Sequence, residues 1–346
     1  MDDITIRELS REEYEAFLET IPHSAFHRLG WLDAVARVYK LRIRLLGYTR
    51  DLQLCAITPL MGRRMGPLML WGAPLRKCGT PPATPFCSPA KEAASVIGAF
   101  GTWIRSQRLA YVQATAPEAV DSAGIDADHV ERLDNLELDL SISLETIWRG
   151  LSQQKSSVRK AVRSGVRVRF RTSQRFLKIQ EKLVSATYGK QGVPENLPMA
   201  LYGCLLENKG NTGVRVLSAE HAGKTVAAIW VLHDQSKCYY WDAAALDESR
   251  KLNANHLLVW CLIRWAHRRG LKTLDLVGAL NGGRATLRPG ITQFKLSMGG
   301  RPVAYRLLYW GSPAMLHMLE LYRLLQRTSL HLRTKLRHRK RQPSLQ

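Results

Sequence analysis

The stretch HLLVWCLIRWAHRRGLKTLDLVGA, His256–Ala279, joins a helix to a strand and decides the fold class. Its first part has the spacing of an amphipathic helix, Gly270 stands where such a helix ends, and TLDLVGA is typical of a buried strand. Upstream, GVRVLSA and TVAAIWVLH flank a turn at His221–Lys224, and CYYWDA follows them. This order of hairpin, strand, helix and strand predicts an α/β unit with a mixed sheet.

The first half of the chain has a similar order of a hairpin, a helix and a strand. RIRLLGYT and LCAITPLM predict two strands around a turn at Arg50–Asp51, followed by a helix over about Lys91–Arg108 and the strand YVQAT. A length of 346 residues suits two domains. We therefore expect an α/β (α+β) protein of two tandem domains, 1–140 and 141–310, with mixed twisted sheets flanked by helices. Residues 311–346 are expected to form an amphipathic helix and a basic tail.

Positive charge is concentrated in two places. The chain carries a net charge of +22; Arg149–Lys182 holds 11 Lys/Arg against one acid, and residues 321–346 hold 8 with none. Such regions attract phosphates, nucleic acid or anionic lipid headgroups. The N-terminus MDDITIRELS lacks the apolar core of a signal peptide, and no apolar run approaches the roughly 20 residues that span a bilayer. We expect a cytoplasmic protein whose tail makes at most peripheral contact with anionic membrane.

The first basic region begins in a predicted helix. SLETIWRGLSQQKSSVRKAVRSG has an N-cap candidate in Ser143 and an ending at Gly165, which predicts one continuous helix. Lys155, Arg159 and Arg163 are spaced four residues apart and form one stripe on it. The strand VRVRFR follows, with its arginines on a single face. Together they predict a site for the phosphates of a substrate.

The motif search is mostly negative. The chain lacks GxSxG, HExxH, GxxxxGK[ST] and a GxGxxG after a strand, and none of its six cysteines and ten histidines has metal-ligand spacing. Hydrolase, zinc protease, P-loop and Rossmann functions are therefore disfavoured, and no metal site is expected. Acyl transfer to a nucleophile carried by the acceptor needs only positioning and a cation at the developing oxyanion. In GITQFKLSMGG, Lys295 is a candidate for that cation; the alternative is a surface lysine paired with an acid.

Several segments resemble the Fem-type peptidyltransferases of the GNAT superfamily. They are KSSVRKAVRSGVRV, TVAAIWVLH, the helix–strand unit that begins NANHLLV, GITQFKLSMGG and, more weakly, SAFHRLGWLDAV. The resemblance covers roughly Ala25–Trp310 and implies two GNAT-like domains, with the segment after Gly300 returning to the first. It also implies that Phe294 lines the donor pocket, that Lys295 stabilises the reacting carbonyl or a nearby phosphate, and that Arg159 binds the acceptor's phosphates.

The resemblance further implies where the donor binds. GNAT proteins hold the pyrophosphate of coenzyme A in a glycine-containing loop, and the corresponding stretch here, ESRKLNANHLL, has no glycine. Arg250, Asn253, Asn255 and the helix N-terminus are candidate substitutes, because Asn tolerates left-handed backbone and free N–H groups point outward at a helix start. No tightly bound cofactor is expected. The co-substrate is either acyl-CoA or aminoacyl-tRNA.

The sequence therefore predicts an acyltransferase that modifies an amine or hydroxyl of a phosphate-bearing acceptor related to the cell envelope or a polysaccharide. One alternative is an aminoacyl-tRNA-dependent transferase of the peptidoglycan type. Another is a noncatalytic basic protein that binds nucleic acid or anionic membrane. Against a nucleic-acid module, VRVRFR offers only Phe170 for base stacking.

Overall fold

The computed structural model describes residues 4–75, 78–81, 83–120, 125–151, 154–189, 197–278, 280–281, 284–285, 289–312, 314–315 and 317–318. Its strands belong to one 14-stranded mixed sheet. Within these ranges, no helix has the length and apolar character needed to cross a membrane. Most of the predicted helix and basic tail of residues 311–346 lies outside the described residues.

In the N-terminal half, the described residues form six strands and three α-helices. They are β1 (Thr5–Glu8), α1 (Arg11–Thr20), α2 (Leu29–Tyr39), β2 (Arg42–Arg50), β3 (Gln53–Met65), β4 (Leu68–Ala73), α3 (Ala93–Ser106), β5 (Tyr111–Pro117) and β6 (His129–Asp139).

The C-terminal half repeats this order with additional helices. Its elements are α4 (Leu144–Gly150), α5 (Gln154–Arg163), β7 (Arg167–Arg171), α6 (Leu177–Gly189), α7 (Met199–Glu207), α8 (Lys209–Thr212), β8 (Val214–His221), β9 (Lys224–His233), β10 (Lys237–Ala245), α9 (Glu248–Lys251), α10 (Ala254–Arg268), β11 (Thr273–Asp275), β12 (Leu280–Asn281), β13 (Arg284–Ala285), α11 (Pro289–Ser297) and β14 (Arg301–Gly311).

The strand order shows how the halves are joined. It runs β1-β2-β3-β4-β5-β14-β6-β11-β10-β9-β8-β7, so the last strand of each half pairs with the other half. β14 lies antiparallel to β5, and β6 lies antiparallel to β11, while β6 and β14 pair with each other at the centre. The expected return of the segment after Gly300 to the first half is confirmed.

Both predicted hairpins are present and close in the same way. Asp51 and Leu52 have φ of 50° and 64°, and Ala222 and Gly223 have φ of 48° and 75°. Two consecutive positive φ angles define the tight turn whose twist matches that of the flanking strands. Identical closure of β2–β3 and β8–β9 supports the duplication inferred from the sequence.

The two halves pack directly against each other on one face of the sheet. One buried cluster joins Trp31 of α2 to Trp230 of β9 and to the leucines of α7. Across this contact, the rings of Phe26 and Tyr239 lie 4.7 Å apart, and Trp241 Nε1 donates to the carbonyl oxygen of Gly79 at 2.6 Å. A second cluster fills the opposite face of the C-terminal half, between the sheet and the α5–α10 pair.

The basic helix differs from its prediction. Ser143 caps it as expected, because its side chain accepts from the backbone N–H of Thr146. The prediction of one continuous helix was wrong, since α4 ends at Gly150, a weak helix former, and Leu151 turns the chain before α5 begins at Gln154. Val162, on α5, is 57% exposed.

The arginines of VRVRFR share one face, as predicted, but they do not lie beside the α5 stripe. In β7, Val168 packs into the cluster beneath α5 and α10. Side chains alternate along a strand, so Arg167, Arg169 and Arg171 point to the opposite face. Arg169 and Arg171 are also paired there with Glu220. The expectation that the two arginine rows form one phosphate site is therefore wrong.

Candidate active site

The site begins where two parallel strands separate. β10 and β11 pair only through Lys237–Tyr239 and Thr273–Asp275; β10 then continues to Ala245, whereas β11 has ended. The sequence predicted a strand through Val277–Gly278, and this was too long. Beyond Tyr239 the two strands are no longer paired. We call the place where they separate, at their carboxyl ends, the opening; ligands commonly bind at such places in α/β sheets.

A buried carboxylate explains why β11 stops. Asp275 is 1% exposed, and its Oδ1 accepts the backbone N–H of Val277 at 2.7 Å and the amide Nδ2 of Asn135 at 2.8 Å. This side-chain bond takes the N–H that would otherwise continue the ladder. Val277 adopts φ of 50°, an unfavourable conformation for a β-branched residue. Strained backbone of this kind is concentrated at ligand and catalytic sites.

Lys295 lies in this opening. It belongs to α11, is only 6% exposed, and its Nζ donates to the carbonyl oxygen of Val277. The ring centroid of Tyr240 on β10 is 5.9 Å from the same nitrogen. Lys295 therefore bridges the two diverging strands, and the alternative of a solvated surface lysine does not fit its burial.

Burial changes the protonation of both central groups. The pKa of Lys295 falls to about 8 because the ammonium is desolvated, an effect that the charge of Asp275 opposes. Desolvation raises the pKa of Asp275 to about 6, against the opposing charge of Lys237. Asp275 Oδ2 is buried and has no hydrogen-bond donor within the described part of the chain. The pKa values of both groups therefore lie closer to neutral pH than the ordinary values of a lysine and an aspartate.

Phe294 connects this opening to the start of α10. Its ring meets that of His256 edge to face, with centroids 5.1 Å apart. Asn253 precedes the helix in the left-handed conformation, with φ of 55°, and makes no side-chain cap. Asn255 lies in the first turn of α10, and Arg250 is exposed on α9 just before it. The predicted donor-binding residues and Phe294 are thus brought to one end of α10.

The α5 stripe reaches α10 through aromatic contacts. The guanidinium of Arg159 lies 5.8 Å from the ring of Trp148, and the ring centroids of Trp148 and Trp260 are 4.6 Å apart. Trp260 is one turn after His256 on α10. Lys155 and Arg163 lie one turn before and one turn after Arg159 on the same helix.

The equivalent position in the N-terminal half is built differently. β4 and β5 are parallel over Trp71–Ala73 and Val112–Ala114, like β10 and β11. There, Gln113 Nε2 donates to the carbonyl oxygen of Pro74 at 2.8 Å. The same half has a cavity of about 390 Å³, lined by residues of the segment before α3, of α3 and of the chain from Pro117 to Val120. The buried Lys–Asp arrangement described above belongs to the C-terminal half.

Sequence reasoning missed four residues of the site: Asp275, Asn135, Tyr240 and His256. An acid between the leucines of TLDLVGA was the one visible signal, because a charged residue in a buried strand needs a partner. Asn135 lies on β6, a strand from the other half, so only the topology places it here. No cluster of three or more His, Cys, Asp or Glu in the described residues has the arrangement of a metal site.

Comparison with known proteins defines the class. Residues 152–295 match the family model of the acetyltransferase (GNAT) domain, a stretch that ends at Lys295. The chain therefore contains a GNAT domain, and the acyltransferase class expected from the sequence is confirmed. No curated protein sequence matches the chain.

Solved structures agree on the fold over nearly the whole chain. The structure of FemX superposes with a TM-score of 0.67 at 12% identity, covering 91% of this chain and 99% of FemX. The C-terminal domain of a lysylphosphatidylglycerol synthetase from Agrobacterium fabrum gives 0.62 at 11% identity, covering 90% and 95%. The L-PGS of Bacillus licheniformis gives 0.60 at 14% identity, covering 91% and 98%. The predicted Fem-like fold is confirmed.

Proposed function

We propose that this protein transfers an acyl or aminoacyl group from a bound donor to an amine or hydroxyl of a phosphate-bearing, envelope-related acceptor. The observation that carries the proposal is the burial of Lys295 between the diverging strands β10 and β11. A desolvated cation in a sheet opening is suited to stabilising the oxyanion that forms when an acceptor attacks a carbonyl.

The donor would enter along the separated edge of β10. Among the described residues, β10 beyond Tyr239 is paired with β9 but not with β11, so an extended donor can hydrogen-bond to that edge. The phosphates of the donor would lie over Asn253, Asn255 and Arg250 at the start of α10, where unpaired N–H groups and the helix dipole favour anions. Phe294 would pack against the acyl group.

Two donor classes are compatible with this arrangement. The GNAT match favours an acyl-CoA. Fold likeness to FemX and to lysylphosphatidylglycerol synthetases favours aminoacyl-tRNA as the alternative. In either case, Arg159, with Lys155 and Arg163 beside it, would bind the phosphates of the acceptor, and the acceptor itself would supply the nucleophile.

The alternative to a catalytic role is a structural one in a noncatalytic protein. The hydrogen bond that Lys295 donates to the carbonyl oxygen of Val277 is compatible with that role too. An ammonium has three donors, however, so the bond to Val277 aims the nitrogen and leaves donors for a substrate oxygen. We infer that Asp275 and the strained Val277 hold the lysine in this orientation.

The test is steady-state kinetics of Lys295→Met. Melting-temperature shifts with acetyl-CoA, aminoacyl-tRNA and nucleotide sugars first select the substrate pair. Methionine keeps the length of the side chain and removes the charge, so we expect kcat to fall by roughly 10²–10³ with little change in either KM. Lys272→Met, which alters an exposed lysine, is the control. Near-normal kcat in Lys295→Met would exclude the catalytic role.

A further inference from the structure

Three tryptophans lie on the helices that cover the outer side of the C-terminal half. Trp148 lies on α4, and Trp260 and Trp265 lie on α10; all three are partly buried against the cluster beneath α5 and α10. Trp148 and Trp260 contact each other, and the ring of Phe170 on β7 lies 6.0 Å from that of Trp265. The chain order separates these residues, so only the fold assembles them. We call this surface the tryptophan–arginine face.

Arginines surround these rings. Arg159 lies over Trp148, and Arg269 lies over Trp265 with its guanidinium 5.8 Å from the ring centroid. Arg264 and Arg268 are exposed on α10, on the solvent side of the helix that also carries Trp260 and Trp265. The four elements that form the face, α4, α5, β7 and α10, contain a single acid, Glu145. The face therefore attracts anions.

Exposed apolar side chains accompany the arginines. Val162 on α5 is 57% exposed and Phe170 is 48% exposed. Neither contributes to binding a phosphate in water. Both would gain by entering an apolar phase, since burying apolar surface is favourable at about 25 cal/mol per Å².

We propose that the tryptophan–arginine face docks on the surface of an anionic phospholipid bilayer. Tryptophan rings with one apolar side are preferred at the boundary between headgroups and acyl chains, arginines bind lipid phosphates, and Val162 and Phe170 would insert between them. Nucleic acid is less well suited, because Trp148 and Trp260 are already packed against each other and their rings are not free to receive bases. The proposal does not depend on the transfer reaction.

The experiment is sedimentation of the full chain with vesicles, comparing pure phosphatidylcholine with an equal mixture of phosphatidylcholine and phosphatidylglycerol. Each basic residue near the surface contributes roughly fivefold to binding, so Arg264→Gln/Arg268→Gln should weaken binding to the mixed vesicles roughly 25-fold. Phe170→Ser should weaken it at high salt as well as at low salt. All variants retain the basic residues after Met318, so any contribution from those residues cancels.

The matched control is Lys178→Gln/Lys182→Gln. These exposed lysines lie on α6, which packs on the opposite face of the sheet, so the same charge is removed far from the membrane. We expect its binding to equal that of the wild type. Brominated phosphatidylglycerol should quench tryptophan fluorescence of the wild type and of this control, and should quench the arginine variant less.

Two outcomes would overturn the proposal. An equal loss in the α6 control would show that net charge alone drives binding. Vesicle binding that survives Arg264→Gln/Arg268→Gln and Phe170→Ser, while binding of a single-stranded RNA oligonucleotide is lost, would assign the face to nucleic acid. Unchanged melting temperatures of the variants establish that any loss of binding does not come from unfolding.

Discussion

Lys295 is the residue on which the proposed function depends, and burying its ammonium is energetically unfavourable. An ammonium that is 6% exposed has lost most of its hydration, and one backbone carbonyl and an aromatic ring compensate only in part. Natural chains retain such unfavourable groups mainly at functional sites. The same reasoning applies to Asp275, whose second carboxylate oxygen has no donor in the described structure.

The burial of Lys295 predicts how stability depends on pH. Its pKa is about 8 in the folded chain and 10.5 ordinarily, so between these values the unfolded chain binds a proton that the folded chain lacks. The contribution of Lys295 to the free energy of unfolding should therefore rise as pH increases from 8 to 10.5, by up to about 3 kcal/mol. Below pH 8 the buried lysine is charged, and the full free-energy cost of burying its ammonium is present.

The measurement is urea unfolding of the wild type and Lys295→Met at several pH values, because other titrating groups are common to both chains. The difference in free energy of unfolding should move in favour of the wild type above pH 8. A difference that does not vary with pH would contradict the buried, desolvated lysine. Asp275 does not interfere, since its pKa of about 6 places its own effect below this window.

At the scale of elements, we propose that the loop before α10 holds the phosphates of the donor in place of a glycine-containing loop. Asn253 supplies the left-handed backbone that a glycine would otherwise provide. We predict that Asn253→Gly keeps the stability of the protein, whereas Asn253→Ala lowers it by about 1 kcal/mol because alanine is strained at positive φ.

Both variants should raise the KM for the donor severalfold, since both remove the side-chain amide that is proposed to contact its phosphates. Thermal unfolding and donor titrations at saturating acceptor measure the two effects separately. An unchanged donor KM in Asn253→Gly would mean that the side chain serves only the backbone turn.

The elements also show what a sequence can and cannot predict. The two hairpins and α10 with its end at Gly270 were predicted because local patterns and turn chemistry determine them. The early end of β11 was not predicted, because it depends on the side chain of Asp275 competing for the N–H of Val277. The burial of Lys295 depends on the separation of β10 and β11. The contact of Asp275 with Asn135 depends on the pairing of β11 with β6, a strand of the other half. Neither leaves a local signal.

At the scale of the whole molecule, each half contributes its last strand, β6 or β14, to the sheet of the other half, and this joins the two cores. Trp310 belongs to β14 in the C-terminal half, yet it is 1% exposed within the core of the N-terminal half. Its ring lies 5.5 Å from that of Phe100 on α3, and its Nε1 donates to the carbonyl oxygen of Asp126 at 2.6 Å. The division into two domains at residue 140 remains a prediction, and the topology argues against a folding boundary there.

We therefore predict that Trp310→Ala destabilises both halves together. Removing a buried tryptophan side chain costs about 3–5 kcal/mol, and because β6 and β14 are paired at the centre of the sheet, the loss should reach the C-terminal half as well. In Trp310→Ala, the protection of amides from hydrogen exchange should fall by the same amount in β2–β3 and in β9–β10. In Trp310→Phe, the protection should fall less, and again equally in the two hairpins. If protection falls in β2–β3 alone, the halves unfold independently, and residue 140 separates two folding units after all.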